Sequence, residues 1–391
     1  MKKHVSVSFL TIGVAVFTML FGAGNMIYPI KAGVAAGSQY IVGTLGFLLT
    51  GVLIPIIGLV AMILFDGNYR VFFNRAGKVP GFLAILFCML ILGPFLVIPR
   101  CVTVSYEMLF PLLPNVGLAA FSAFFCLLTF AFSYRESKVL NILGKYMSPV
   151  IITSFGFIII KGLMNASTTI EQIRPASTIF LEQIVHGFQT LDLLGALFFA
   201  YIIIRLIRSD NSVEAISSKQ VAAICLKGSV ITAALMTAFY VGFISLSAFY
   251  AHLVTSDMNG AEIFRIIALH VIGQHGILFL VVAVLIKCLA TATALAVVFS
   301  EYLRNEFFDK QISYLSCLII TLTTTTVISN FGLTNIITWG FPIITAGYPI
   351  ILTITLCNIA YKLFDFQWIK LPVFAVTAIM IGISVYPHLA S

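Results

Sequence analysis

The apolar run from Val5 to Ala36 is long enough to cross a bilayer, yet its centre reads Phe21-Gly22-Ala23-Gly24-Asn25. Two glycines and an asparagine weaken a helix where lipid offers no water to the freed backbone groups. Such a break persists only when it is buried in protein or lines a polar cavity. Interrupted helices near the bilayer midplane are how many secondary transporters build their substrate and ion sites.

The rest of the chain is membrane too. Hydrophobic residues make up 60% of it and charged residues 9%, which excludes a soluble globular protein. Apolar stretches of bilayer-crossing length fall at about 5–36 (broken), 39–64, 80–110, 115–133, 146–165, 179–204 (broken), 221–249, 277–300, 312–329, 333–360 and 371–387. No interval between them holds a soluble domain. A single all-α transmembrane domain of about eleven helices, residues 1–391, is expected.

Basic residues alternate between the two sets of loops. Lys2, Lys3, Arg70, Arg75, Lys78, Arg135, Lys138, Lys145, Arg205, Arg208, Lys219, Lys227, Arg304, Lys310, Lys362 and Lys370 fall on the side of the N-terminus, which is 16 of 22. Lys31, Lys161, Arg174 and Arg265 fall opposite, and Arg100 and Lys287 lie inside spans. The bias predicts a cytoplasmic N-terminus. The net charge of +8 is thus a topology signal and not a nucleic-acid patch. Lys2-Lys3-His4 before an apolar run has the look of a signal peptide, but cleavage would remove the broken helix and reverse the alternation. The seven cysteines are scattered singly through apolar segments with no metal-ligand spacing, and they read as small core residues. His252, His270 and His275 read as solvated residues of one outer loop, and no metal site is expected.

A second interruption, His186-Gly187-Phe188-Gln189-Thr190-Leu191-Asp192, lies in span six, about 166 residues after the first. Span six crosses opposite to span one, so the breaks sit in matching places of two inverted five-span halves, about 5–165 and 179–360, with an extra helix at about 371–387. The plainer account is a glycine kink packed against neighbours in each helix. Half-helix N-termini present free N–H groups to a carboxylate, and unwound carbonyls suit an ammonium or a metal cation. A zwitterionic amino acid needs both. Gly22, Ala23 and Gly24 let ligand atoms approach the backbone closely.

Five stretches carry a family resemblance: FGAGNMIYPI (21–30), GPFLVIPRCVTVSYE (93–107), GKYMSPVIITSFGFIIIKGL (144–163), GFQTLDLLGAL (187–197) and SNFGLTNIITWGFPIITAGYP (329–349). In this order they resemble the branched-chain amino acid carrier family over about nine tenths of the chain. The resemblance implies a LeuT-like five-plus-five inverted repeat with helices one and six broken. It also implies cation-coupled uptake of leucine, isoleucine and valine across the bacterial cytoplasmic membrane, with no cofactor beyond the coupling sodium ion or proton. Gly22, Ala23, Gly24, Asn25, Phe188, Gln189 and Thr190 would contact the substrate backbone, and side chains of spans three, six and eight would hold its apolar part. The departures from the family pattern are Ile30 for a second proline, Cys101 for threonine, and Lys287-Cys288-Leu289-Ala290-Thr291-Ala292 where the family has ACLTTA.

Ionisable residues within the spans are functional candidates by default. Arg100 and Glu107 share a helix face and serve either packing and gating or direct contact. Asp192 opens the second half of span six, as a cap or a proton relay. Lys287 lies one turn before Thr291, where a sodium-coupled relative would place hydroxyls. Its ammonium either takes the cation's place or turns toward another helix. A channel would need a filter or a charged ring, and none is visible. No HExxH, GxSxG or GxxxxGK[ST] pattern occurs, which argues against an enzyme and against ATP drive within the chain. Other small apolar amino acids, carried without sodium, stand as the alternative to branched-chain substrates.

Overall fold

Both predicted breaks are present. In the computed structural model, which describes residues 9–112, 114–134, 148–166, 168–210, 218–255 and 257–389, the regular elements are all helical. Of the basic residues read for topology, Lys2, Lys3, Arg135, Lys138 and Lys145 lie outside the described residues, as does 144–147 of the third family stretch. Span one is α1 (Phe9–Leu20) and α2 (Gly24–Ala36). Span six is α10 (Ala176–Phe188) and α11 (Asp192–Asp210). Between these come α3 (Tyr40–Leu48) and α4 (Ile54–Leu64), joined by a π-turn as span two, and a short α5 (Tyr69–Asn74). Then follow α6 (Lys78–Leu90) and α7 (Val97–Leu109) as span three, α8 (Leu118–Ser133) and α9 (Ser148–Met164). After span six run α12 (Ser218–Phe249), α13 (Gly260–Tyr302), α14 (Tyr314–Ser329), α15 (Leu333–Phe364) and α16 (Lys370–Leu389). Among the described residues six continuous helical stretches are long and apolar enough to cross a membrane, and five shorter apolar helices join them.

The surface agrees with that reading. Leu127, Val230, Phe279, Ile320 and Leu371 are exposed, the reverse of a water-soluble surface. The interior holds the polar groups instead, among them Asn25, Arg100, Gln189, Asp192 and Lys287.

Helix pairing follows the inverted arrangement. α1 and α2 lie along α12, while α10 and α11 lie along α3 and α4, so span one on seven matches span six on two with the partners exchanged. Small residues allow each approach. A Cβ at Gly13 would stand 2.6 Å from Ile231 of α12, and one at Gly46 would stand 2.4 Å from the carbonyl of Phe180 in α10.

Two features differ from the sequence expectation. Span three is not continuous: Pro94 lacks an N–H donor and Gly93 leaves the helical region (φ −85°, ψ −128°) between α6 and α7. The supposed outer loop before span eight is largely helix. Asn259 and Glu262 form a reciprocal capping box at the start of α13, Ile263, Phe264, Ile267 and Ala268 are buried, and His270 is exposed on that helix. Gly273, at φ +72°, then turns the chain into span eight.

The connections sort to two ends. Ser38 N–H donates to Ile170 O at 2.8 Å, and Arg265 donates to Glu107 O at 2.6 Å, joining connections that the alternation places on one side. At the other end Arg70 pairs with Glu306, and Arg75 donates to Asn358 Oδ1 at 3.0 Å.

Candidate functional site

The two breaks touch. A Cβ at Gly24 would lie 3.3 Å from Thr190 O and 3.0 Å from Arg100 Nη1, so glycine there sets how closely span one can meet span six. In the first break Phe21 N–H still reaches Phe17 O at 2.8 Å, and Met26 and Ile27 both turn back to Ala23 O. Gly22 N–H leaves the ladder and donates to Asn25 Oδ1 at 2.8 Å. In the second break the N–H groups of Gln189, Thr190 and Leu191 make tight three-residue bonds, and Leu191 sits at φ +65°. A leucine in the left-handed region is costly, and strain of this kind tends to gather at functional sites.

Asn25, Asp192 and Tyr240 tie spans one, six and seven together. Asn25 Nδ2 donates to Asp192 Oδ2 at 2.6 Å and also contacts the Tyr240 hydroxyl, which donates to the same carboxyl oxygen at 2.8 Å. Asp192 is the first residue of α11, where a carboxyl complements the positive end of the helix dipole.

Two cations from other spans meet the opposite, carbonyl-bearing ends of the broken helices. Lys287 Nζ of span eight donates to Thr18 O at 2.5 Å, near the end of α1, and to Thr291 Oγ1 at 3.0 Å. Arg100 Nη1 of span three donates to Gln189 O at 2.9 Å, just past the end of α10. Cations at such ends gain about 0.3–1 kcal/mol from the dipole at the surface and up to about 2 in partly buried settings.

Other buried polar atoms near the breaks have no hydrogen-bond partner among the described residues: Arg100 Nε and Nη2, both amide atoms of Gln189, and the hydroxyls of Tyr28 and Tyr348. Tyr28 lies under the guanidinium, its ring centre 5.2 Å from Arg100 Cζ. Tyr348 packs on Phe188 with ring centres 4.4 Å apart. Around the breaks a small cavity is lined by Gly22, Ala23, Gly24, Asn25, Arg100, Thr190 and Asp192 on its polar side. Met19 and Leu20 of span one, Leu92 and Val97 of span three, Leu191, Gly195 and Phe199 of span six, and Thr291 and Leu295 of span eight complete it. Its volume of about 30 Å³ suits roughly one water molecule and is too small for a ligand of amino-acid size.

Of the residues read from sequence, Gly22, Ala23, Gly24, Asn25, Thr190, Asp192, Arg100 and Thr291 thus come together. Gln189 and Lys287 stand next to them through Arg100 and Thr291, and Phe188 is the platform for Tyr348. Glu107 is elsewhere. It lies toward the end of α7, with its carbonyl bound by Arg265, and shares no partner with Arg100. Tyr28, Tyr240 and Tyr348 were not singled out in the sequence. Tyr28 alone carried a local signal, being four residues after Gly24 on the same helix face. A larger cavity of about 250 Å³ between spans three, nine and ten is lined by apolar residues such as Phe95, Ile328 and Trp339, and lies apart from both breaks.

A helical bundle whose two interrupted helices cross at a buried polar cluster, each packed on the mirror-equivalent partner, is a LeuT-like transporter fold. Solved structures agree. A nucleobase-cation-symport-1 family transporter, Mhp1, in a closed conformation with bromovinylhydantoin bound, superposes with a TM-score of 0.64 over 92% of this chain and 79% of its own, at 15% identity. MhsT in complex with L-phenylalanine gives 0.61 over 94% and 98%, at 14% identity.

Within that class the chain belongs to the branched-chain amino acid transport protein family, whose model matches residues 5–389. It is 30% identical to the branched-chain amino acid permease BrnQ of Bacillus subtilis over 93% of this chain and 84% of that protein. It is 31% identical to the branched-chain amino acid transport system 3 carrier protein of Pseudomonas aeruginosa, over 87% and 78%. The protein is a multi-pass membrane transporter and not an enzyme.

Proposed function

We propose that this chain is a secondary active transporter that takes up leucine, isoleucine or valine across the bacterial cytoplasmic membrane, coupled to a cation, with its N-terminus in the cytoplasm. The crossing of the two breaks carries the reading. Gly24 against Thr190 brings half-helix ends of both signs around one cavity, which is what a zwitterion requires. Gly22, Ala23, Gly24, Asn25, Phe188, Gln189 and Thr190 contact the substrate backbone once the helices part, and Leu92, Val97, Phe199 and Leu295 receive its branched side chain. The names of the relatives support the substrate class.

The coupling cation in this proposal is a proton. In place of a sodium ion between the carbonyl of span one and the hydroxyl of span eight stands the Lys287 ammonium, bonded to Thr18 O and Thr291 Oγ1. A lysine amine can release its proton in the course of a transport cycle, whereas a guanidinium cannot. Asp192, across the cavity, is the complementary carboxyl.

Purified protein in proteoliposomes tests both parts. Labelled leucine uptake should saturate, follow an imposed pH gradient in sodium-free buffer, and be inhibited by unlabelled isoleucine and valine more than by alanine. Strict sodium dependence would return the coupling to sodium. Inhibition by alanine or other small apolar amino acids equal to that by leucine would favour the broader substrate class. For orientation, a cysteine at Ser177 should label from outside intact cells and one at Gln311 only after permeabilisation; the reverse would invert the topology.

A further inference from the structure

Among the described residues Arg100 is the largest fully buried side chain, 1% exposed, and no carboxylate lies within ion-pair distance of it. One of its nitrogens serves Gln189 O; Nε and Nη2 are free, side by side on the planar edge that matches a carboxylate with two parallel bonds. A buried guanidinium without a counter-anion is costly, and the cost is met when an anion arrives. Arg100 lines the cavity between the breaks, next to Gly24.

We propose that Arg100 is the anchor for the α-carboxylate of the transported amino acid, with Nε and Nη2 as the donors. This rests on the amino-acid transport reading above and names the residue that fixes the substrate's acidic end. The N-terminus of α11 already holds the carboxyl of Asp192, and the Gly22 N–H is taken by Asn25. The guanidinium edge, next to Gly24 at the uncapped start of α2, has no such occupant among the described residues. The substrate ammonium then points away from Arg100, toward Asp192 and the unwound carbonyls. The Tyr28 ring under the guanidinium and the Gln189 carbonyl on Nη1 hold the fork in place before the ligand arrives.

Leucine and leucinamide differ at the carboxylate, so their affinities for detergent-purified protein give the test. Wild-type protein should prefer leucine by about 100-fold or more; a site built to hydrogen-bond a polar group can reject an analogue lacking it by up to about 10⁴–10⁵. Arg100→Gln should weaken leucine by a similar factor and bring the preference to within about threefold, while Arg100→Lys, a point charge without the fork, should retain an intermediate preference. If Arg100→Gln is not recovered folded, Arg100→Lys decides: a narrowed preference supports the anchor and an unchanged one overturns it. Equal weakening of both ligands in Arg100→Gln, with the preference intact, would make Arg100 a positioning residue for the second break and overturn the proposal. So would a wild-type protein that binds leucinamide as tightly as leucine. A wild type that binds leucinamide, leucine, isoleucine and valine not at all would instead overturn the transport reading on which the anchor rests.

Discussion

The two broken helices are built alike and equipped differently. Each first half ends on a carbonyl that accepts a hydrogen bond from a buried cation of another span: Thr18 O from Lys287, and Gln189 O from Arg100. Span eight serves span one and span three serves span six, which are equivalent pairs under the inverted arrangement. The cations are not equivalent. Arg100 keeps two donors without a partner among the described residues, whereas Lys287 has its nitrogen between a carbonyl and a hydroxyl. The same backbone device thus meets a guanidinium with an open edge at one break and an amino group with two acceptors at the other. In the proposed function, that difference separates holding a substrate from coupling its movement.

The comparison can be broken at four places. Gly24→Val should have the largest effect, with uptake falling by more than about 100-fold, because its side chain would press on Thr190 O and Arg100 Nη1 and force the breaks apart. Proteoliposome uptake normalised to folded protein reads this, and transport near wild type would remove the crossing as the site. Asp192→Asn should come next, with uptake down about 30-fold. It removes the carboxyl that draws in Asn25 and Tyr240 and complements the α11 dipole, contacts worth about 1.5–3 kcal/mol for a bond to a charged group.

Lys287→Ala should abolish accumulation driven by a pH gradient while leaving leucine–leucine exchange within about fivefold of wild type. Uptake driven by the gradient as before would show that the releasable charge lies elsewhere. Gly22→Ala should be the mildest. A Cβ there meets nothing in the protein closer than 3.6 Å, so the fold tolerates it and any loss reports space needed by the ligand. A several-fold rise in KM for leucine is expected, and an unchanged KM would move the substrate away from Gly22.

Much of this arrangement was legible before any coordinates. Helix breaks are local events, written in Gly22, Gly24 and the 186–192 segment, and bilayer crossing needs only a long enough run of apolar residues. The third break in span three was equally local, in Gly93-Pro94, but it lies inside a strongly apolar run that masks it. The helix before span eight was hidden for a related reason. Its capping box, Asn259 with Glu262, and four buried residues sit in a segment too polar to cross a membrane, and a membrane reading sorts such segments as loop.

What the sequence determined by itself is therefore the class of the protein: an all-helical membrane bundle, the positions of the two main breaks and a short set of charged residues that had to mean something. The partners of those charges were decided only by the tertiary structure. Arg100 and Glu107 share a helix face, yet Arg100 serves the carbonyl of a residue 89 positions away, and Lys287 one 269 positions away. Buried polar groups must find partners wherever the fold brings them, and a bundle of oppositely directed helices brings together residues from distant spans. Composition could place a lysine and an arginine in the membrane. Only the tertiary structure settled that each would reach a broken helix, Lys287 at span one and Arg100 at span six.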